Sequence, residues 1–284
     1  MAALLAFTSA MVFGVGDFMG GLAARRLRAL VVASWSQLIG LAVILLLVLV
    51  VLPSAQPTVT DLAWGAAAGI VGAVGLLLLY SALATGPMSV AAPITAVFSA
   101  VVPVVAGLAL GERPELLAAG GVVLALPAIV LIAQGEEPPG VPNRARATVR
   151  DLLPAFGAGI GFGLFFVFLQ RTSGDAGLWP LVGARSVSTV GLFTLGLVTP
   201  GRMGLVKGTY RLVIACGICD AGANALYLAA VNRGLLSLVA VLAALYPAST
   251  VVLARIVLKE RMRGIQLVGL GLAATAAALV AFAG

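Results

Sequence analysis

The sequence predicts an all-α integral membrane protein, with ten transmembrane helices forming two inverted five-helix repeats around a central cavity. Three observations carry that prediction. The 284 residues are 62% hydrophobic and only 10% charged, with a mean hydropathy of +1.16, whereas soluble domains are about a quarter charged. Ten runs are long and apolar enough to cross a hydrocarbon core, which takes about 20 residues. The two halves of the chain also match each other at a constant offset.

Taken in order, the runs are Leu4–Ala24, Leu30–Leu52, Leu62–Thr85, Met88–Leu110, Glu115–Ala133, Leu152–Leu169, Trp179–Thr199, Leu212–Val231, Leu235–Leu258 and Gln266–Phe282. The first stops at Arg25, Arg26 and Arg28. Only Gly86-Pro87 parts the third from the fourth, and only Asn232-Arg233-Gly234 the eighth from the ninth. Residues 136–151, EEPPGVPNRARATVRD, carry the proline and charge of a linker near the midpoint. The expected organisation is therefore a five-helix repeat over 1–135, a linker over 136–151, and a second repeat over 152–284.

The repeat is read from aligned residues. Gly86 matches Gly234, Ser89 matches Ser237, Glu112 matches Glu260, Arg113 matches Arg261, Gly121 matches Gly269, and Phe98 falls opposite Tyr246. A Glu-Arg pair closing the fourth and ninth runs in one register is the firmest of these matches. An odd number of helices per unit puts the two units in opposite orientations, the inverted design of many secondary transporters. The cations follow suit. On one side fall Arg25, Arg26, Arg28, Arg144, Arg146, Arg150, Arg202, Lys207, Arg211, Arg255, Lys259, Arg261 and Arg263, against Arg113, Arg171 and Arg233 on the other. By the positive-inside rule the first side is cytoplasmic and both termini are outside.

Several function classes drop out. The net charge of +7 sits in short clusters between apolar runs, which sets topology and does not make a nucleic-acid groove. With no histidine, His triads, His proton relays and His-containing metal sites are excluded, and no metal or cofactor is expected. Cys216 and Cys219 form C-x-x-C inside an apolar run, whereas a redox pair belongs at a solvated helix N-terminus. They read as small packing residues. The first run lacks a positive leading segment and reads as a retained helix.

With these features in place, the segments YSALATGPMSVAAPITAVFSAVVPVVAGLALGERPE and YLAAVNRGLLSLVAVLAALYPASTVVLARIVLKERMRG resemble the drug/metabolite transporter superfamily, in its EamA-domain branch. The resemblance covers essentially the whole chain and implies a secondary transporter of the cell (inner) membrane. Members usually keep both termini in the cytoplasm, the reverse of what the arginines indicate here. Small four-helix members of the superfamily carry an acid in their first helix that exchanges protons for cations. By helix number and chemistry, that resemblance points to Asp17.

Asp17, Arg185 and Asp220 are the ionisable groups deep inside apolar runs, where a charge costs roughly 2.5–3.5 kcal/mol on insertion scales and is kept where it meets a partner or a wet cavity. Phe13, Gly14, Gly20 and Gly21 share the face of Asp17, and a glycine face permits close helix approach. Asp220, Asn224 and Tyr227 form one stripe, and Arg185, Ser188 and Thr189 another. Arg185 and Asp220 read equally as a mutual ion pair or as substrate contacts. If they pair, Asp17 is the unbalanced charge. Gln37, Trp35, Tyr80, Phe98, Ser99, Tyr246 and Ser249 complete the cavity candidates. Aromatic rings near an acid suit an organic cation, and suit helix packing equally.

The expected function is secondary active transport of small metabolites or drugs (organic cations, amines or amino acids), coupled to protons, by alternating access. Its partners are the solute, protons and the bilayer, and monomer and homodimer stay open. No Walker motif indicates ATP use. Two alternatives stand beside it: a lipid-carrier flippase on the same fold, and an intramembrane aspartyl protease. The latter rests on Gly14-Val15-Gly16-Asp17, which reads G-x-G-D, with Asp220 as the second acid of a proton-sharing pair.

Overall fold

The computed structural model describes residues 1–24, 26–50, 55–85, 88–133, 149–257 and 262–282, the side chains of 80–85, 88–93, 133, 149–152 and 254 excepted. The first half contributes α1 (Ala2–Ala24), α2 (Ala29–Val50), α3 (Val59–Thr85), α4 (Met88–Ala109) and α5 (Leu116–Ala133). The second contributes α6 (Val149–Gln170), α7 (Trp179–Val198), α8 (Tyr210–Val231), α9 (Leu236–Ala243), α10 (Pro247–Val257) and α11 (Gly264–Phe282). Among the described residues there is no strand. Among those residues eight spans are long and apolar enough to cross a membrane, and two shorter apolar stretches, Ile94–Ala109 and Leu116–Ile132, lie within α4 and α5. The side chain of Tyr80, most of the 136–151 linker and the Glu260-Arg261 pair fall outside the described residues.

The ends of the runs match the expected ones within about three residues, with one departure. The ninth run is two helices, α9 and α10, parted at Ala244–Tyr246. Pro247 explains the break, because proline offers no N–H and its ring clashes with the carbonyl of the preceding turn. Here Leu245 and Tyr246 donate to Leu242 and Ala243, a tightened i→i+3 pattern. The Tyr246 carbonyl is then reached by the Ser249 hydroxyl at 3.0 Å. The Thr250 N–H keeps its helical bond to the same carbonyl at 3.4 Å, so the hydroxyl adds to the ladder, and the Ala243 carbonyl that Pro247 cannot serve is taken by the Tyr246 N–H at 3.3 Å.

Packing follows the repeat. α1 packs on α8 as α6 packs on α3; α2 packs on α8 as α7 packs on α3; α1 packs on α9 and α10 as α6 packs on α4. The pairs α2·α7, α4·α9 and α5·α11 map onto themselves when the halves are exchanged. A two-fold relation between oppositely directed halves generates this pattern, and the interface between halves is consequently the core of the protein. Small residues make it close. A Cβ at Gly65 or Gly69 on α3 would run into the backbone of Pro180 or Ala184 on α7, the small-residue contact by which membrane helices associate where lipid removes the hydrophobic drive.

The connections are tied down by side chains. Thr58 and Asp61 form a capping box at the start of α3, Thr58 N–H donating to Asp61 Oδ2 at 2.9 Å and Asp61 N–H to Thr58 Oγ1 at 3.2 Å. The same carboxylate accepts the Ser173 N–H at 2.7 Å, which fastens the α6–α7 connection to α3. Outward-facing Leu46, Leu49, Val123, Val190, Leu197, Val252 and Leu267 are exposed, and a bilayer is the solvent that makes such a surface stable.

Candidate functional site

α1 approaches α8 and the α9–α10 break along a seam of glycines. A Cβ at Gly16 would touch Cys219 and Asp220 at 3.3 and 3.4 Å, and one at Gly20 would touch Cys216 Sγ at 3.1 Å. On the adjoining face, a Cβ at Gly14 would collide with the Tyr246 carbonyl and Ser249 Oγ. Hydroxyls close that contact: Thr250 Oγ1 donates to the Gly14 carbonyl at 3.2 Å, and Ser249 Oγ to that of Ala10 at 3.4 Å. At 100° per residue, the Asp17 direction falls between the α8 seam and the α10 seam. Phe13, one turn earlier on that bearing, sets its ring edge-on to Phe166 of α6, 6.4 Å between centroids.

Asp17 therefore looks inward, between two helices of the opposite half. It keeps accessible surface, although Gly16 and Phe18 on either side are buried. Its neighbour Gly16 packs against the Asp220 backbone, and Gly14, one turn earlier, against the Tyr246 carbonyl. Tyr246 belongs to the broken segment, so the proline break delivers an irregular backbone to the α1 face that carries this acid.

Arg185 is spoken for. The guanidinium on α7 pairs with the Asp220 carboxylate on α8 and donates to Gln37 Oε1 on α2. Gly40 makes room for it, since a Cβ there would lie 3.0 Å from Arg185 Nη1. Arg185 is 4% exposed, while the Asp220 side chain keeps 32%. Asn224 donates to the Asp220 carbonyl at 2.8 Å and to its Oδ1 at 3.3 Å. Three helices thus meet in a Gln37–Arg185–Asp220–Asn224 network, with Asp17 beside its open edge. The ion pair that the sequence offered as one reading of Arg185 and Asp220 is formed. Asn224 Oδ1 and Thr189 Oγ1 are buried without a hydrogen-bond partner among the described residues.

Other candidates are placed elsewhere. The Trp35 indole donates to the Met203 carbonyl at 2.7 Å and lies edge-on to Phe193, at the end of the bundle where α7 stops. Phe98 stacks edge-on with Phe156 of α6 at 4.9 Å, and Ser99 bonds back to the Ala96 carbonyl. Tyr227 is fully buried, its ring 4.3 Å from that of Phe166 and its hydroxyl donating to the Phe166 carbonyl at 3.5 Å. It braces Phe166 one turn beyond Asn224. Sequence reasoning passed over Phe166 itself, whose signal was its place in the Phe162, Phe165, Phe166, Phe168 run of α6.

Glu112 was also passed over, being noticed for its register and not for a role. Its carboxylate accepts the backbone N–H groups of Leu236 and Ser237, the latter at 3.0 Å. These open α9, so an acid of the first half caps a helix of the second.

Comparison with known proteins completes the site's context. The model of the family described as EamA-like transporter family matches residues 1–134 and again 151–282. No curated protein matches the chain. A solved structure described only as "Crystal structure of protein" is similar, with a TM-score of 0.79 at 17% identity, covering 99% of this chain and 96% of that one. At that identity the likeness is one of fold.

Proposed function

The chain belongs to the EamA-like transporter family, and from that premise we propose that it is a proton-coupled secondary carrier of small organic cations, amines or amino acids in the cell (inner) membrane. One observation carries the reading. Arg185 is committed to Asp220 and Gln37, so Asp17 is left without a cation of its own among the described residues, at the meeting of the two halves. An acid so placed attracts a cationic solute or a proton, and the two compete for it. Competition of that kind couples a downhill proton to an uphill solute.

The surroundings support the same chemistry. Phe13 with Phe166 supplies aromatic surface on the Asp17 bearing, fitting a cation held partly by ring faces. Asn224 Oδ1, buried and without a partner among the described residues, is an acceptor for an ammonium N–H. A discontinuous ninth span at the same depth follows the pattern of carriers whose sites form where helices break at the repeat interface. Alternating access is then a rocking of the two halves about the site. The protease alternative loses its second acid, because Asp220 is engaged by Arg185 and a catalytic dyad must share a proton between two carboxyls.

The test is uptake into proteoliposomes under an imposed pH gradient, screened over quaternary amines, polyamines and amino acids. Asp17→Asn should abolish gradient-driven accumulation while the protein still inserts and folds. Full accumulation by Asp17→Asn would remove this acid from the mechanism.

A further inference from the structure

The α1–α2 and α7–α8 connections, with the first turn of α8, place five cations at one end of the bundle: Arg26, Arg28, Arg202, Lys207 and Arg211. All five are exposed, and neither connection contains an Asp or Glu. They are not scattered charges on independent loops. The Trp35 indole holds the Met203 carbonyl of the longer connection at 2.7 Å. Arg28 lies so close over Gly201, at φ +127°, that no Cβ fits between them, and Arg26 Nη1 is 3.7 Å from a Cβ placed on Gly208, at φ +89°. Beneath, Ala23, Val32 and Val213 form a small buried cluster with Leu27, Leu205 and Leu212 packed on it. The two connections are one built surface, and its only charges are positive.

This surface runs directly into the lipid-facing wall. Val206 is exposed beside Lys207, and α8 continues with exposed Tyr210, Ile214 and Ile218 at helical spacing. One turn on, a Cβ at Gly222 would meet nothing within 4 Å. A ligand matching both parts must be anionic at one end and a long hydrocarbon at the other. We propose that these connections clamp the headgroup of an anionic phospholipid, whose acyl chain lies along the Tyr210–Ile214–Ile218 stripe. Basic pockets at the ends of membrane helices bind such headgroups by charge, and Tyr210 occupies the interfacial depth that aromatic rings favour. The cations of this surface share no ion pair or hydrogen bond with Asp17, Arg185 or Asp220 among the described residues, so the clamp is tested separately from the solute.

The experiment purifies the full chain in detergent, exchanges it into nanodiscs mixing phosphatidylglycerol with phosphatidylcholine, and weighs retained lipid by native mass spectrometry. Wild type should retain phosphatidylglycerol preferentially and gain thermal stability from it. Each cation neutralised in the series Lys207→Gln, Arg211→Gln, Arg26→Gln and Arg28→Gln should lower retention about fivefold, while R113Q/R233Q, at the opposite end, should not. The double variant K207Q/R211Q serves if the quadruple one fails to fold. Equal retention of phosphatidylcholine, unchanged retention in K207Q/R211Q, or an equal loss in R113Q/R233Q would each overturn the clamp. The same thermal gain from inorganic phosphate without lipid would overturn its amphiphilic ligand.

Discussion

The Glu112 carboxylate accepts the backbone N–H of Ser237 at 3.0 Å, across the boundary between the two repeats. Two orphan donors of α9, those of Leu236 and Ser237, are satisfied by this one acid. The negative charge also meets the positive end of the α9 dipole. Glu112→Ala should therefore cost about 1–2 kcal/mol, as the loss of a helix cap does, and Glu112→Gln should fall between it and wild type, keeping an acceptor but not the charge. Thermal unfolding in detergent measures both. Equal stability of all three would mean that the contact holds nothing together.

Arg185 and Asp220 form an ion pair that neither residue can leave without exposing the other. Removing one partner strands a desolvated charge, at a cost of about 3–5 kcal/mol, whereas replacing both with apolar groups is often neutral. Arg185→Met and Asp220→Leu should each lower folded yield sharply, and the double variant should recover much of it. If transport returns with folding in the double variant, the pair is scaffolding for Asp17. If folding returns without transport, Asp220 also touches the solute.

Gly14 and Gly21 lie on one face of α1, yet their surroundings are opposite. A Cβ at Gly14 meets the Tyr246 carbonyl and Ser249 Oγ, while one at Gly21 meets nothing within 4 Å. Gly14→Ala should destabilise by about 1–3 kcal/mol through overpacking of a backbone that cannot yield. Gly21→Ala should be neutral or should stabilise by about 0.4–1 kcal/mol through the unfolded chain. The two variants compared by chemical denaturation in one detergent give the sign of each.

How far the sequence could be read follows from the range of each signal. Hydropathy is summed over a whole span, so the ends of α1, α5 and α7 were legible to within a residue or two. The ion pair of Arg185 with Asp220 was legible as one of two readings, because a buried charge demands an answer and few partners exist. The α9–α10 break was only half legible. Pro247 announces a bend, but that the broken segment packs against α1, with Thr250 Oγ1 on the Gly14 carbonyl, is tertiary. The cap by Glu112 was hidden for a related reason: its partners lie 124 and 125 positions away and are backbone groups, which leave no residue signature. Aromatic residues were the weakest guide, since Phe98 and Trp35 satisfy packing as readily as ligand binding.

Trp35 makes that last point testable. A tryptophan one turn from the charged network invites a role in binding, yet its indole N–H goes to the Met203 carbonyl and its ring edge to Phe193 at 5.6 Å. It acts as a pin between α2 and the α7–α8 connection. Trp35→Phe keeps most of the ring and deletes the donor, so the Met203 carbonyl loses a bond worth about 1 kcal/mol. The expected outcome is a modest fall in thermal stability with substrate affinity unchanged, and faster proteolysis of the 199–209 connection. A Trp35→Phe protein that is as stable as wild type but binds its solute tenfold more weakly would return this residue to the cavity.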